Sequence, residues 1–265
     1  MNVVIRELKA NLKSLLIWSG SMVFLIYGGM IKYSGIAGAG QEARKLFDQF
    51  PPAFKQVLGL GELDITTAAG FYALFYIYFL VLAGVHAVML GAVIISKEER
   101  DKTADFIFVK PVHRRQIVTA KLAAVLINLL VLNLTTLLAS VVFVNMYNQG
   151  ASISSKIALL MVFLFIIQLL FATLGALAAA ASKTSKRAVS ISTLILMSTF
   201  LLSAVIDLYP KIDYLKYLTP FKYFPAVDII MKSSFSPSMI ALSLLLTGTF
   251  TFLTYRRMEQ RDLHV

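Results

Sequence analysis

Residues 68–96 read AAGFYALFYIYFLVLAGVHAVMLGAVIIS, a run of 29 residues that contains no Lys, Arg, Asp or Glu. About 20 apolar residues suffice for a helix to cross the hydrocarbon core of a bilayer, and a helix satisfies its own backbone hydrogen bonds there. Five more runs lack Lys and Arg, at 15–31, 122–146, 157–181, 188–209 and 237–255. The sequence therefore predicts an all-α polytopic membrane protein with six transmembrane helices in a single domain, 1–265.

The composition excludes a soluble globular domain. Of the 265 residues, 58% are hydrophobic and 15% are charged, whereas about 25% of the residues in a soluble domain are charged. Cysteine is absent, which excludes disulfides, thiolate metal sites and cysteine nucleophiles. The net charge of +11 would suit a nucleic-acid partner, so the positions of the cations have to decide that question.

The cations are concentrated on one side of the predicted membrane. Of the 25 Lys and Arg residues, 16 lie in segments 1–14, 97–121, 182–187 and 256–265, and nine lie in segments 32–67, 147–156 and 210–236. Loops rich in Lys and Arg stay in the cytoplasm, next to anionic lipid. The sequence thus predicts a plasma-membrane protein with both termini in the cytoplasm, and the basic charge requires no nucleic acid.

The segment before the first span has a helical pattern. Val4, Leu8, Leu12 and Leu15 recur at helical spacing, and Lys and Arg occupy the opposite side. This pattern predicts a short helix lying in the inner membrane interface. An ordinary basic flank of the first span is the alternative.

The segment after the second span has a mixed-charge tip followed by an apolar patch. The 29-residue span would be about 43 Å long as a helix, which exceeds the hydrocarbon thickness, so its end should project from the membrane as a stalk. The run from Lys97 to Lys102 follows, then Phe106-Ile107-Phe108, and Pro111 should end the helix. Such a tip suits docking to a soluble partner, and a solvated linker is the alternative.

The order of residues in this segment resembles a known family. Glu98-Glu99, Thr103, Asp105-Phe106-Ile107-Phe108, Pro111, Arg114 and Lys121 resemble the first cytoplasmic loop of type-2 ATP-binding-cassette (ABC) exporter permeases. The departures are Lys102 for the usual Gly, Phe and Ile for two Leu, and His113 for Ser. The six spans, the helix before them and segment 215–224 extend the resemblance over most of the chain.

The resemblance implies a permease subunit of an ATP-driven exporter, which forms half of a translocation pathway. In that family the loop contains a coupling helix that docks into a separate ATPase. The implied coupling residues are Glu98, Glu99, Arg100, Thr103, Asp105, Phe106, Phe108 and Pro111. Two ATPase subunits would bind ATP and Mg²⁺, and a second permease copy or a homologue would complete the pathway. This chain would hold no cofactor, metal or catalytic residue, and no G-x-x-x-x-G-K-[ST] string occurs in it.

Segment 210–236 combines aromatic residues with Pro220 and Pro225. Aromatic side chains favour the membrane–water boundary, so the pattern predicts short helices in the outer leaflet before the sixth span. The resemblance implies an outer lid with Tyr217, Pro220, Phe221 and Phe224. An ordinary aromatic belt is the alternative.

Polar side chains within the spans are few. We expect Asn128, Asn133 and Gln168 to bond across helices and His86 to be a buried packing residue, although a place along the pathway stays open for all four. Asp207, near the end of its span, should reach water or headgroups. The small residues of 172–181 predict close helix packing and a seam between subunits.

Three other functions compete with the permease. An ion-driven secondary transporter or channel usually carries several buried acids, and these spans contain only Asp207. An intramembrane hydrolase would need a pattern such as H-E-x-x-H, or two Asp within spans, and the sequence has neither. A membrane scaffold is the third. The sequence leaves open the substrate and the choice between homodimer and heterodimer.

Overall fold

The computed structural model describes residues 3–40, 42, 45, 49–51, 63–100, 113–148 and 150–260, with the backbone alone for 98–100. Six of its helices are long and apolar enough to cross a membrane, as predicted. They are α1 (Val3–Ala39), α2 (Ala68–Arg100), α3 (Arg114–Tyr147), α4 (Ser154–Ala181), α5 (Ser185–Leu208) and α6 (Pro237–Gln260). The described residues contain no strand. The chain is therefore an all-α, multi-pass membrane protein.

The first helix corrects one prediction. A separate interfacial helix before the first span is wrong, because α1 continues from Val3 to Ala39 as one helix of 37 residues. No Gly or Pro lies between Val3 and Leu15, so nothing in the sequence interrupts the hydrogen-bond ladder. The predicted apolar face is only partly buried, since Leu12 is 51% exposed.

Helices α2 and α4 form the centre of the bundle. In their most apolar stretches 72% and 61% of the residues are buried, compared with 22% in α5 and 17% in α6. The two central backbones touch: a Cβ added to Gly91 would lie 2.0 Å from the carbonyl oxygen of Ala172, and one added to Gly175 would lie 2.1 Å from that of Val88. Only glycine fits at such an approach.

This contact also changes the interpretation of the small residues in 172–181. Close helix packing is confirmed, but the predicted subunit seam is wrong for the buried face, because α2 of the same chain covers Gly175 and Ala172. Small side chains determine how closely two helices approach, and they do not determine which helix is the partner.

Two of the three intramembrane amides bond across helices, as predicted. The side-chain nitrogen of Asn133 in α3 donates to the carbonyl oxygen of Met161 at 3.0 Å and to Gln168 Oε1 at 3.2 Å, both in α4. Asn128 donates to the carbonyl oxygen of Ala124 in its own helix at 2.8 Å. The prediction of a bond across helices is therefore confirmed for Asn133 and Gln168, whose contact joins α3 to α4, and is wrong for Asn128.

Three short helices connect α5 to α6: 3₁₀ helices at Pro210–Leu218 and Pro220–Lys222, and a π-helix at Asp228–Lys232. Each 3₁₀ helix begins at a proline, whose missing N–H is not needed in the first turn. Phe221 and Phe224 are 5% and 4% exposed, so an exposed aromatic belt is wrong for these two residues. Tyr217, which is 52% exposed, is compatible with it.

Candidate functional site: the two ends of the bundle and the groove between them

The alternating helix directions give the bundle two ends. One end holds the beginnings of α1, α3 and α5 and the ends of α2, α4 and α6. We call it the basic end, because its segments contain 16 of the 25 Lys and Arg residues. The opposite end holds the segment from α5 to α6. Contacts such as Glu7 with Lys97, and Arg115 with Glu259, connect helices at the basic end.

A buried carboxylate lies at the basic end. The side chain of Glu7 in α1 is 0% exposed. It accepts hydrogen bonds from the guanidinium of Arg6 at 2.7 Å and from Lys97 Nζ, in the last turns of α2, at 3.1 Å. A buried charge is tolerated only when it is paired and hydrogen-bonded. The ion pair therefore fixes the start of α1 to the end of α2.

Two further contacts hold the end of α2. Lys121 of α3 is 3% exposed, and its Nζ donates to the carbonyl oxygens of Ile94 at 2.7 Å and Ile95 at 3.3 Å. Ser96 Oγ donates to Ser185 Oγ of α5 at 2.8 Å. Although Lys121 lies beside a charged loop in the sequence, it does not reach for the headgroups, because its ammonium binds carbonyl groups inside the bundle. We call Glu7, Lys97, Lys121 and the Ser96–Ser185 pair the α2 clamp.

The α2 clamp lies directly before the predicted coupling loop. Glu98, Glu99 and Arg100 form the last residues of α2, and the structure describes only their backbone. Thr103, Asp105, Phe106, Phe108 and Pro111 lie outside the described residues, so their docking role stays a prediction. On the far side of the loop, Arg115 at the start of α3 pairs with Glu259 of α6.

A groove of about 660 Å³ lies between α1, α2 and α5. Its lining is mostly apolar and includes Phe24, Tyr78 and Phe200, together with the hydroxyl groups of Ser21 and Ser203. Phe24 is 76% exposed and Tyr78 is 53% exposed, so the groove opens on the surface of the bundle.

The polar candidates from the sequence lie elsewhere. His86, Asn128, Asn133 and Gln168 are not among the residues that line this groove. The His86 side chain is buried beside Trp18, with 5.3 Å between the ring centroids. All four side chains are buried inside the bundle.

Asp207 of α5 is the one charged residue among the described residues that line the groove. Its carboxylate pairs with Lys222 Nζ, and the two side chains are 28% and 23% exposed. Lys222 also lines a second cavity of about 520 Å³ at the opposite end, together with Asp213 and Lys216. The Asp207–Lys222 ion pair therefore links the lining of the groove to that of this end cavity.

The predicted lid residues hold the segment around Lys222 in place. The Phe224 ring stacks on that of Phe163 in α4 with 4.4 Å between centroids. The Phe221 ring contacts the rings of Phe171 and Phe200, with 5.5 and 5.4 Å between the centroids. Pro220, which directly precedes Phe221, is also buried.

The two tyrosines of this segment, Tyr217 and Tyr223, are held differently. Tyr217 lies on the surface. Its carbonyl oxygen accepts a hydrogen bond of 2.6 Å from the hydroxyl of Tyr223. Burial raises the pKa of Tyr223 to about 12, so that hydroxyl stays protonated at neutral pH. Of the aromatic residues predicted to form a lid, Phe221 and Phe224 are thus anchored in the bundle, whereas Tyr217 is not.

Sequence reasoning missed both charged clusters. Glu7 is the one acid among three cations in the first 14 residues, and that exception was the available signal for a buried partner. Asp207 was noticed as the one acid in the spans, but its partner Lys222 lies 15 residues later in a segment with four cations.

The comparison with known families agrees with this architecture. A family model described as ABC-2 family transporter protein matches residues 1–263, which is nearly the whole chain. The match includes all six helices and the segment 101–112. No curated protein matches the chain.

Proposed function

The chain belongs to the ABC-2 family of transporter proteins, and on that premise we propose that it is the membrane-spanning permease subunit of an ATP-driven exporter. Members of this family are transmembrane subunits that work with an ABC ATPase partner. The finer proposal is that residues 98–108 form the coupling element and dock into that ATPase.

The observation that carries this proposal is the α2 clamp. The proposed coupling element continues from α2, and the last turns of α2 are bonded to α1 through Glu7, to α3 through Lys121 and to α5 through Ser185. A displacement of the coupling element would therefore move several helices as one body. Rigid-body movement of packed elements is a common way to transmit a local event.

The ATPase would be a separate subunit, present in two copies, and it would bind ATP and Mg²⁺. This chain would contribute no cofactor, and the complex would need no nucleic acid. A second permease copy or a homologue would complete the pathway. The α1–α2–α5 groove supports this part of the proposal, because it is open on one side and a second subunit or lipid has to cover its apolar lining.

The proposed orientation places the basic end in the cytoplasm of a bacterial cell, with both termini inside. The excess of Lys and Arg at that end supports it. The ATPase would then meet the coupling element, and the segment with Tyr217, Pro220, Phe221 and Phe224 would act as a lid at the outer face.

Co-purification of the ATPase with the full-length permease tests the proposal. Phe106 and Phe108 would be the apolar anchors of the docking surface, and buried aromatic anchors often cost about 2 kcal/mol or more each when truncated. We expect Phe106→Ala with Phe108→Ala to abolish recovery of the ATPase and its coupled activity in lipid.

The control for this experiment is Phe252→Ala, because Phe252 of α6 is 64% exposed on the surface of the bundle. It should leave both readouts unchanged. Equal recovery and equal activity in the double variant and the wild type would remove the coupling assignment.

A further inference from the structure

We propose that the α1–α2–α5 groove binds an amphipathic organic cation, whose charged group takes the place of Lys222 at the Asp207 carboxylate. The inference rests on the proposed function, because it assigns a class of cargo to the groove of the permease. It follows from the shape, the lining and the single charge of the groove.

The groove suits an apolar molecular body. A volume of about 660 Å³ falls in the range of sites that bury a small organic molecule. Three aromatic side chains line it, Phe24, Tyr78 and Phe200, each from a different helix. Aromatic faces also attract cations through their quadrupoles.

The negative charge of Asp207 determines which charge a ligand of the groove should carry. Asp207 is the one charged side chain in the described lining, and the nearby hydroxyls of Ser21 and Ser203 are neutral. A carboxylate in an apolar surrounding requires a positive partner. An anionic head group would be repelled by it, and a neutral ligand would form no ion pair with it.

Lys222 now supplies the positive partner. It belongs to the short helix Pro220–Lys222, and its neighbour Phe221 contacts Phe200, which itself lines the groove. A cation that reaches Asp207 would release Lys222 from the carboxylate. It would also loosen the segment that carries Lys222, so cargo binding and opening of the lid would be one event.

The test uses three fluorescent probes that share a diphenylhexatriene body and carry a trimethylammonium group, no charge or a carboxylate. Trp18 is the single tryptophan of the chain and lies one helical turn before Ser21, so energy transfer from Trp18 reports probe in the groove. The full-length permease is placed in phosphatidylcholine nanodiscs, and transfer is measured at equal probe-to-lipid ratios. We expect the cation to reach half-saturation at about one tenth of the neutral probe concentration, as expected for a charge-assisted contact.

Two variants separate a binding role from a structural one. Asp207→Asn and Lys222→Met both break the same ion pair, so a purely structural pair would make them shift probe binding in the same direction. If the groove binds a cation at Asp207, Asp207→Asn should abolish the preference for the cationic probe. Lys222→Met should increase that preference, because the Lys222 ammonium no longer competes for the carboxylate. Lys216→Met, which breaks the exposed Asp213–Lys216 pair, is the matched control and should change nothing.

A cation preference that Asp207→Asn removes supports the inference, as does a preference that emerges only after Lys222→Met. Equal transfer from all three probes in the wild type and in Lys222→Met, or shifts of the same sign in both variants, would overturn it. Exclusion of all probes would also overturn it, because lipid or a second copy then fills the groove. None of these measurements needs the ATPase, so a failure here leaves the co-purification result, and hence the proposed function, unaffected.

Discussion

Replacement of Glu7 by Gln should destabilise the bundle far more than an ordinary surface charge would. The Glu7 side chain is fully buried, and it is the counter-charge for Arg6 and Lys97. Glu7→Gln keeps the shape and removes the charge, so the ammonium of Lys97 loses its carboxylate partner. Breaking a fully buried ion pair costs about 3–5 kcal/mol.

The partners of Glu7 reduce that figure, because they retain some access to water. The side chain of Lys97 is 22% exposed and that of Arg6 is 33% exposed. We therefore expect a loss of about 2–3 kcal/mol for Glu7→Gln, just below the range for fully buried pairs. For a chain of this size, each kcal/mol lowers the melting temperature by about 2–4 °C, so the expected shift is about 4–12 °C.

Thermal unfolding in detergent, followed by the fluorescence of Trp18, measures this shift. Glu259→Gln is the matched control: it breaks the pair with Arg115, whose side chain is 72% exposed, and exposed pairs contribute about 0–1 kcal/mol. The double variant Glu7→Gln with Lys97→Met should recover part of the stability, since it also removes the ammonium group that loses its carboxylate partner in Glu7→Gln. Equal melting temperatures for Glu7→Gln and Glu259→Gln would refute the account of the α2 clamp.

Three other predictions concern packing and orientation. Gly91→Ala should lower the free energy of unfolding by about 1–3 kcal/mol by overpacking the core, because its Cβ would meet the Ala172 carbonyl. Gly28→Ala, which has open space at its Cβ, should leave the stability unchanged, and equal unfolding curves for the two variants would contradict the close α2–α4 contact. In this cysteine-free chain, a single Cys at position 45 should react with an impermeant reagent added outside the cell, and a single Cys at position 102 should not. The reverse labelling pattern would show that the proposed orientation in the membrane is wrong. Phe221→Ala should lower the free energy of unfolding by about 3–5 kcal/mol, because its ring is buried, and a change below 1 kcal/mol would show that the lid is not anchored there.

The six spans could be predicted from the sequence because each depends on local information. An uncharged run such as 157–181 has to be buried in lipid or protein, and a helix is the way to bury it. The ends of the helices are harder to predict from the sequence, since charged turns continue the hydrogen-bond ladder beyond the apolar run. Thus α1 begins at Val3 and α3 at Arg114, well before the apolar runs that start at Leu15 and Leu122.

The charged clusters could not be predicted in the same way, because they depend on which helices become neighbours. Lys121 looks like a headgroup anchor in the sequence, yet the end of α2 offers it two carbonyl oxygens. Glu7 and Lys97 lie 90 residues apart, and no periodicity relates them. The sequence indicated that Asp207 and the lid aromatics were unusual, but only the packing shows Lys222 beside Asp207.

Helix α2 joins these features into one mechanical unit. It has 33 residues, so it is about 50 Å long. Its last turns are held in the α2 clamp, Gly91 presses against α4, and Tyr78 lines the groove that ends at Asp207. A push on its end would have to move α2 together with α4, because two backbones in contact leave no room for sliding. Under the proposed function, the wall of the groove contributed by α2 would therefore shift relative to α5, and the Asp207–Lys222 pair would be the contact most exposed to that shift.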